Sequence, residues 1–206
     1  MWNGAKNQVK IILIRHGQTV GNLNKRYIGS TDEPLCSDGI KMLKDSVKDN
    51  KYPNIEKIYV SPMKRCIETA EIIYPGNKYI KCENLRECDF GEFENKNYIE
   101  LSSNENYKKW LYSNGTMPFP SGEKNEDFKM RCIKGYENII DNCESDAIAF
   151  IVHGGTIMSI LDHYSRPNKS FYYWQIKNGE GYICELSEDR IGLIVISKIT
   201  GVGEKT

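Results

Sequence analysis

The sequence has 206 residues, enough for one sizeable domain with its own apolar core. Basic and acidic side chains balance at 28 each, so no overall positive field favours nucleic acid or an anionic membrane surface. The chain contains no apolar stretch of bilayer-spanning length, and residues 1–4 do not resemble the start of a signal peptide. We therefore expect neither nucleic-acid nor membrane partners.

The cysteines indicate a reducing environment. There are seven of them, an odd number, and no two are spaced as Cys-x-x-Cys. This pattern favours free thiols over a disulfide or zinc framework, and it predicts a cytoplasmic protein. The three histidines lack the close spacing of a metal-binding pair, so we expect no metal and no cofactor.

Short apolar runs alternate with segments of helical periodicity along the chain. The runs predict strands at 9–14, 57–60, 79–85, 147–152, 181–186 and 191–199. The periodic segments predict helices that begin at Ser37 and near Met63, two more over 97–112 and 126–143, and a short one through 157–161.

This alternation predicts an α/β fold. We expect a three-layer α/β/α sandwich whose central sheet is mostly parallel and ends in a C-terminal antiparallel hairpin. The chain has no internal repeat and no Pro/Gly-rich linker, so 1–206 is predicted to be a single domain. The polar, weakly patterned stretch 94–125 is predicted to be a cap over a site.

Four of the predicted strands lead into polar residues suited to phosphate. Arg15 and His16 follow the first strand, and Arg65 lies in the first helical turn after the second. Glu87 follows the third strand and His153 follows the fourth. Because the carboxyl ends of parallel strands meet at one edge of a sheet, these side chains are expected to cluster in one cleft.

Such a cluster is suited to covalent phosphoryl transfer. A neutral imidazole at His16 can attack phosphorus, and Arg15 and Arg65 can bind phosphoryl oxygens while disfavouring protonation of that imidazole. His153 can donate to an equatorial oxygen, and Glu87 can protonate the leaving alkoxide. The arginines would lower the pKa of Glu87, an effect that a bound phosphate dianion would offset. They also supply the positive charge that a metal would otherwise provide.

The order of motifs resembles the histidine phosphatase superfamily, in the branch of cofactor-dependent phosphoglycerate mutases and small-molecule phosphatases. The matching segments are 15–19 with Asn22, 29–35, 37–39, 61–66 with 68–70, 85–87 with 90–91 and Glu94, 120–123 with Arg131, and 152–155. The resemblance implies that His16 becomes phosphorylated. It further implies that Arg15, Arg65, His153 and Asn22 form the phosphate pocket and that Glu87 donates the proton.

Gly154 distinguishes two branches of this superfamily, because acid phosphatases and phytases carry an aspartate directly after the second histidine. The glycine at this position therefore supports Glu87 as the proton donor, and we include it among the phosphate-binding residues. Asn95 and Lys124 depart from the usual pattern where substrate contacts are expected. The segment around 120–123 is most similar to α-ribazole phosphatase-like members.

The resemblance implies a phosphomonoester hydrolase that acts on small phosphorylated metabolites. Its alternatives are a cofactor-dependent phosphoglycerate mutase and a non-catalytic member that binds phosphorylated ligands. Asp89, Glu92 and Glu94 remain rivals of Glu87 as proton donor, and Asn22 has a second possible role as a helix cap. The oligomeric state and the physiological substrate are not indicated by the sequence.

Overall fold

The computed structural model describes residues 8–201, so the prediction for residues 1–4 lies outside the described residues. One six-stranded sheet is built in the order β3-β2-β4-β1-β5-β6. Its strands are β1 (Lys10–Arg15), β2 (Lys57–Val60), β3 (Tyr79–Lys81), β4 (Ala147–Val152), β5 (Gly181–Leu186) and β6 (Leu193–Ile199). Strands β1 to β4 are parallel, and β5 and β6 are antiparallel, as predicted.

Helices cover both faces of this sheet. The helices are α1 (Val20–Leu23), α2 (Ser37–Lys48), α3 (Lys64–Ile73), α4 (Glu105–Tyr112), α5 (Asn125–Asp141) and α6 (Gly154–Tyr164), of which α2, α3, α5 and α6 pack on the sheet. Single 3-10 turns lie at Glu83–Leu85, Gly91–Phe93 and Phe171–Trp174. Among residues 8–201, no helix has both the length and the apolar character that crossing a membrane requires.

The alternation of side chains along β1 divides the core into two layers. Ile11 and Leu13 pack with residues of α5 and α6 on one face. Ile12 and Ile14 pack with residues of α2 and α3 on the other. Because successive strand residues point to opposite faces, the continuous apolar run fits a strand that is buried on both sides. The three-layer sandwich is therefore confirmed.

A third apolar cluster lies apart from the sheet and organises the segment 94–125. It contains the buried rings of Phe93, Tyr107, Phe119 and Phe128, and Trp110 packs against it. Phe93 contacts both Tyr107 and Phe119 in edge-to-face geometry, with ring centroids 5.3 and 5.9 Å apart. The weakly patterned stretch therefore packs on aromatic rings from both within and outside it.

Two predicted elements are shorter than expected. The strand predicted at 79–85 ends at Lys81, and the chain then turns through Glu83–Leu85. This turn buries Leu85 fully in the core, so an apolar residue that extends the strand pattern belongs instead to a 3-10 turn. The last strand begins at Leu193 rather than at 191, after the acidic turn.

The helix predicted over 97–112 is also wrong in its first half, because only Glu105–Tyr112 is helical. The side chain of Asn97 accepts hydrogen bonds from the backbone N–H groups of Ile99 and Glu100, both at 3.0 Å. Asn104 then caps α4 by accepting from the N–H of Tyr107 at 2.9 Å. Each asparagine offers the backbone a local partner that competes with helical hydrogen bonding.

Candidate active site

The register between β1 and β4 places the two predicted histidines side by side. Arg15 pairs with Val152, the last residue of β4. The next residue, His16, donates its backbone N–H to the carbonyl of Val152 at 2.9 Å. His153 follows directly, and the two imidazole rings meet edge to face with centroids 5.2 Å apart.

His16 is held as one tautomer by its own backbone. Its Nδ1 lies 2.7 Å from the carbonyl oxygen of Gly17. Because a carbonyl oxygen only accepts, Nδ1 must carry the proton of the neutral ring, and Nε2 keeps its lone pair. The Gly17 backbone is fixed in turn, since its N–H donates to the hydroxyl of Thr69 at 2.9 Å. The buried ring therefore presents an unprotonated nitrogen.

The two arginines flank His16 in different ways. Arg15 donates from Nη1 to the carbonyl of Ile176 at 2.6 Å, while its buried Nε has no partner within residues 8–201. Arg65 is completely buried and donates to the carbonyls of Thr31 and Gly29, each at 2.8 Å. Arg65 is thus rigidly held, and Arg15 retains a buried donor for a ligand.

Glu94 binds the backbone of the 29–31 loop, and this loop in turn binds Arg65. Its carboxylate accepts the backbone N–H groups of Gly29, Ser30 and Thr31 at 2.8 to 3.3 Å, and the hydroxyl of Thr31 at 2.7 Å. These residues carry the carbonyl oxygens that bind the buried guanidinium. Glu94 therefore positions Arg65 through the 29–31 loop.

Both ring nitrogens of His153 have protein partners in this geometry. Nδ1 accepts from Nε of Arg65 at 3.4 Å, and Nε2 lies 2.7 Å from the hydroxyl of Ser61. With Nδ1 as acceptor, Nε2 carries the proton of the neutral ring. The expected donation to a phosphoryl oxygen therefore requires His153 to exchange its bond with Ser61 for one with the ligand.

Glu87 joins the cluster from the turn after β3. Its Oε2 accepts the N–H of Gly155, in the first turn of α6, at 3.2 Å, and its Oε1 accepts the N–H of Cys88 at 3.1 Å. A Cβ atom at position 155 would lie 2.4 Å from Oε1 of Glu87, so the close approach requires glycine there. The predicted proton donor thus lies at the start of the helix that follows His153.

The three rival carboxylates are engaged elsewhere. Asp89 accepts the N–H of Gly91 at 2.9 Å, and Glu92 accepts from the exposed side chain of Asn106 at 3.0 Å. Glu94 clamps the 29–31 loop. Glu87 interacts electrostatically with both Arg15 and Arg65.

Asn22 has the capping role that the sequence allowed. It forms a capping box with Thr19 at the start of α1, and its Oδ1 also accepts from Nδ2 of Asn178 at 3.0 Å. Both contacts of the side chain use the oxygen, so its N–H groups are the part suited to a phosphate.

Gly154 begins α6. A Cβ at this position would lie 3.5 Å from the guanidinium of Arg15, which is ordinary contact. The N-terminus of α6 therefore lies against the Arg15 side chain, and the helix dipole favours an anion there.

Sequence reasoning missed Asn178. Its Nδ2 donates to the carbonyl of His16 at 3.1 Å as well as to Asn22. It lies just before Gly179, and an Asn-Gly pair is a turn signal that predicts a tight loop but not a contact across the sheet. The missing information was the antiparallel pairing of β1 with β5, which brings this turn back to His16.

Burial dominates the electrostatics of the two histidines. The pKa of His16 lies well below its usual value because the ring is desolvated, and Arg65 and Arg15 lower it further. The hydrogen bond to Gly17 opposes this shift only in part. The pKa of His153 is lowered well below its usual value by the same burial and by Arg65. The pKa of His16 shifts in the direction that the sequence argument expects, but desolvation contributes more to this shift than the two arginines do.

Glu87 shifts in the direction that suits an acid. Burial raises the pKa of its carboxyl, although the N–H groups of Cys88 and Gly155 and the charges of Arg65 and Arg15 oppose this. The sequence argument expected the arginines to lower it unless phosphate was bound. Desolvation instead outweighs them in the free protein.

A cavity of about 310 Å³ opens on the Glu87 side of the cluster. It is lined by Gly29, Ser30, Met63, Arg86, Glu87, Asp89, Ser121, Gly122, Glu123 and Arg131. His16 and His153 do not line it, so it extends beyond the histidine pair. Within residues 8–201, no three histidine, cysteine or acidic side chains are grouped so as to hold a metal ion.

A family model described as the histidine phosphatase superfamily, branch 1, matches residues 11–198. The uncharacterized phosphatase PhoE of Bacillus subtilis is 27% identical over 182 residues, which cover 87% of this chain and 90% of that protein. The 2,3-bisphosphoglycerate-dependent phosphoglycerate mutase 2 of Gloeobacter violaceus is 28% identical over 168 residues, covering 75% and 76%. The relatives thus include both hydrolases and mutases.

Solved structures support the same fold. The α-ribazole phosphatase from Shigella flexneri superposes with a TM-score of 0.81 at 18% identity, covering 96% of this chain and all of that one (100%). At this identity the likeness establishes the architecture alone.

The depressed histidine pKa values predict a distinctive titration. An ordinary histidine is half protonated near pH 6.5. We expect the NMR signals of His16 and His153 to stay those of neutral imidazoles down to pH 6. Because the unfolded chain binds protons on these side chains where the folded one does not, the free energy of unfolding should fall as pH is lowered through about 6.5. A midpoint of 6.5 or above for His16 would contradict the burial argument.

Replacing Glu94 by glutamine tests the clamp on Arg65. An amide turns one acceptor into a donor that opposes the backbone N–H groups, so Glu94→Gln should lower the free energy of unfolding by about 1.5–3 kcal/mol. It should also raise KM for a phosphomonoester more than it lowers kcat. Glu92→Gln, which removes a charge beside the clamp, is the matched control and should change neither. Equal effects of the two variants would contradict the role of Glu94 in positioning Arg65.

Proposed function

This chain belongs to the histidine phosphatase superfamily, and on that premise we propose that it hydrolyses small phosphomonoesters through a phosphohistidine formed at His16. The observation that carries the proposal is the tautomer of His16. Nδ1 is bound to the Gly17 carbonyl, so the unprotonated Nε2 is the nucleophile. Its depressed pKa keeps that nitrogen unprotonated at neutral pH.

The first step forms a bond between Nε2 of His16 and phosphorus and breaks the bond from phosphorus to the ester oxygen. Glu87 gives its proton to the departing alkoxide, and burial, which raises the pKa of its carboxyl, favours the protonated form that this step needs. In the second step, Glu87 takes a proton from water as that water attacks phosphorus. The bond to Nε2 breaks, and inorganic phosphate leaves.

Arg15, Arg65, His153, Asn22 and Gly154 form the proposed phosphate pocket. The buried Nε of Arg15 has no partner among the residues that the structure describes, which supports this role, since an unsatisfied charged donor is costly unless a ligand uses it. His153 donates to the phosphoryl group after releasing Ser61, and the N–H groups of Asn22 and the start of α6 add further donors. The two guanidinium charges stabilise the charge of the transition state, so no metal is required.

We also propose that 94–125 acts as the cap of a single domain spanning 1–206. Ser121, Gly122 and Glu123, near the end of this stretch, line the cavity next to Glu87. The seven free cysteines support a reducing compartment such as the cytoplasm as the site of action.

His16→Ala should abolish both turnover and phosphoenzyme formation. Phosphohistidine is labile to acid and stable to alkali, so a brief reaction followed by each quench identifies the adduct on the wild-type protein. His163→Ala, at an exposed histidine of α6, is the matched control and should retain both activities. All assays are run in a chelator, which should not reduce the rate. Hydrolysis by a clean His16→Ala preparation would exclude His16 as nucleophile.

Glu87→Gln should affect poor leaving groups most. Loss of a general acid slows an alkyl phosphate by about 10²–10⁴-fold, whereas p-nitrophenolate leaves with little need of a proton. The comparison is kcat for the two ester types, with Glu92→Gln as control. Equal slowing of both esters by Glu87→Gln would point to another carboxylate.

A further inference from the structure

The charges around the cavity beside Glu87 restrict which leaving group of a phosphomonoester the cavity can accept. Resting on the proposed hydrolysis, we propose that this cavity accepts an uncharged, hydroxyl-bearing alcohol as the leaving group and rejects one that carries a carboxylate or a second phosphate. Its volume of about 310 Å³ lies at the small end of ligand pockets, which span about 300–1,000 Å³. The occupant is therefore a small metabolite.

The cavity lies where the leaving group must go. Glu87, the proposed proton donor, forms part of its wall. So does Gly29, whose carbonyl holds Nη2 of Arg65 at 2.8 Å. A phosphoryl group bound by Arg65 and His16 would therefore place its ester oxygen towards this space.

Arg131 is a cation of the cavity wall whose donors are all used. Its Nε and Nη2 form a paired contact with the carboxylate of Glu123 at 2.9 and 2.7 Å. Its remaining contacts are with the carbonyl oxygens of Asn84, Arg86 and Glu87 at 2.9 to 3.3 Å. A guanidinium has five N–H donors, so none is left for a carboxylate of the substrate.

Arg86 is the other cation, and it lies mostly in solvent. About half of its side chain is exposed (52%), and its Nε lies 3.5 Å from Glu83, which is more exposed still. A solvated charge with an acidic neighbour is strongly screened and contributes little to holding an anion.

The uncompensated negative charge of the wall is that of Asp89. Its carboxylate forms no ion pair within residues 8–201, in contrast to Glu123, which pairs with Arg131, and to Glu87, whose pKa is raised by burial. Asp89 accepts from Gly91 and from the hydroxyl of Ser30 with the same oxygen, Oδ1, which leaves Oδ2 to accept from a ligand hydroxyl. Ser30 and Ser121, two residues with hydroxyl groups, also line the cavity. A second anion would therefore face the carboxylate of Asp89, whereas an alcohol finds acceptors and donors.

A matched pair of substrates tests this selectivity. Glycerol 3-phosphate and 3-phosphoglycerate share a three-carbon skeleton and differ in a terminal CH₂OH or carboxylate. We expect kcat/KM to favour glycerol 3-phosphate by at least about tenfold, because like charges placed together across an interface are strongly disfavoured. Asp89→Asn should narrow this ratio about threefold or more. Asp45→Asn, which removes the same charge from the remote helix α2, should leave the ratio unchanged.

A kcat/KM for 3-phosphoglycerate that equals or exceeds that for glycerol 3-phosphate would overturn the proposal, as would failure to process either while p-nitrophenyl phosphate is hydrolysed. Loss of p-nitrophenyl phosphate hydrolysis would count against the proposed function instead. In that case, calorimetric titration of the His16→Ala variant decides between the same two ligands. Tighter binding of glycerol 3-phosphate supports the selectivity, and tighter binding of 3-phosphoglycerate, or binding of neither, rejects it.

Discussion

The burial of one guanidinium constrains the whole site. Arg65 is fully buried beside His16 and His153, and its charge is met by backbone carbonyls of the 29–31 loop. A buried charge is costly unless hydrogen bonds replace its hydration. The loop must therefore keep its shape, and Glu94 fixes that shape by accepting its N–H groups. The position of Arg65 thus depends on contacts that run from Glu94 through the 29–31 loop to the buried guanidinium.

Desolvation sets the protonation states at the site. It lowers the pKa of His16 and raises that of Glu87, so burial favours the neutral form of both side chains. The same low-dielectric surroundings strengthen the fields of Arg15 and Arg65. The roles that we propose for His16 as nucleophile and for Glu87 as acid both require this neutral form.

The sequence predicts the parts of the fold that depend on local pattern. Strands β1, β2 and β4 lie within a residue of their predicted bounds, because runs buried on both faces are unambiguous. The strand predicted at 79–85 is too long, since an apolar residue in a turn, such as Leu85, looks the same in the sequence as one in a strand. The helix predicted from Asn97 begins only at Glu105, because the side chain of Asn97 forms a local turn.

The candidate site was predictable where residues follow strand ends. His16 and His153 meet as expected, but the contact of Asn178 with His16 spans most of the chain and depends on the β1–β5 pairing. Burial shifts the pKa values of His16 and Glu87 more than the neighbouring charges do. This could be recognised only from the packed structure, since the local sequence does not show which side chains are buried.

The β1–β4 register has a consequence for the lengths of these strands. Each histidine lies one residue beyond its strand, so the hydrogen-bonded register of β1 and β4 sets the distance between the His16 and His153 rings. Removing a single residue from either strand would shift one histidine by about 3.3 Å and turn its side chain to the opposite face. Such a chain would retain a sheet yet lose the meeting of the two rings. The lengths of β1 and β4 therefore determine the relative position of the two histidines as well as the shape of the sheet.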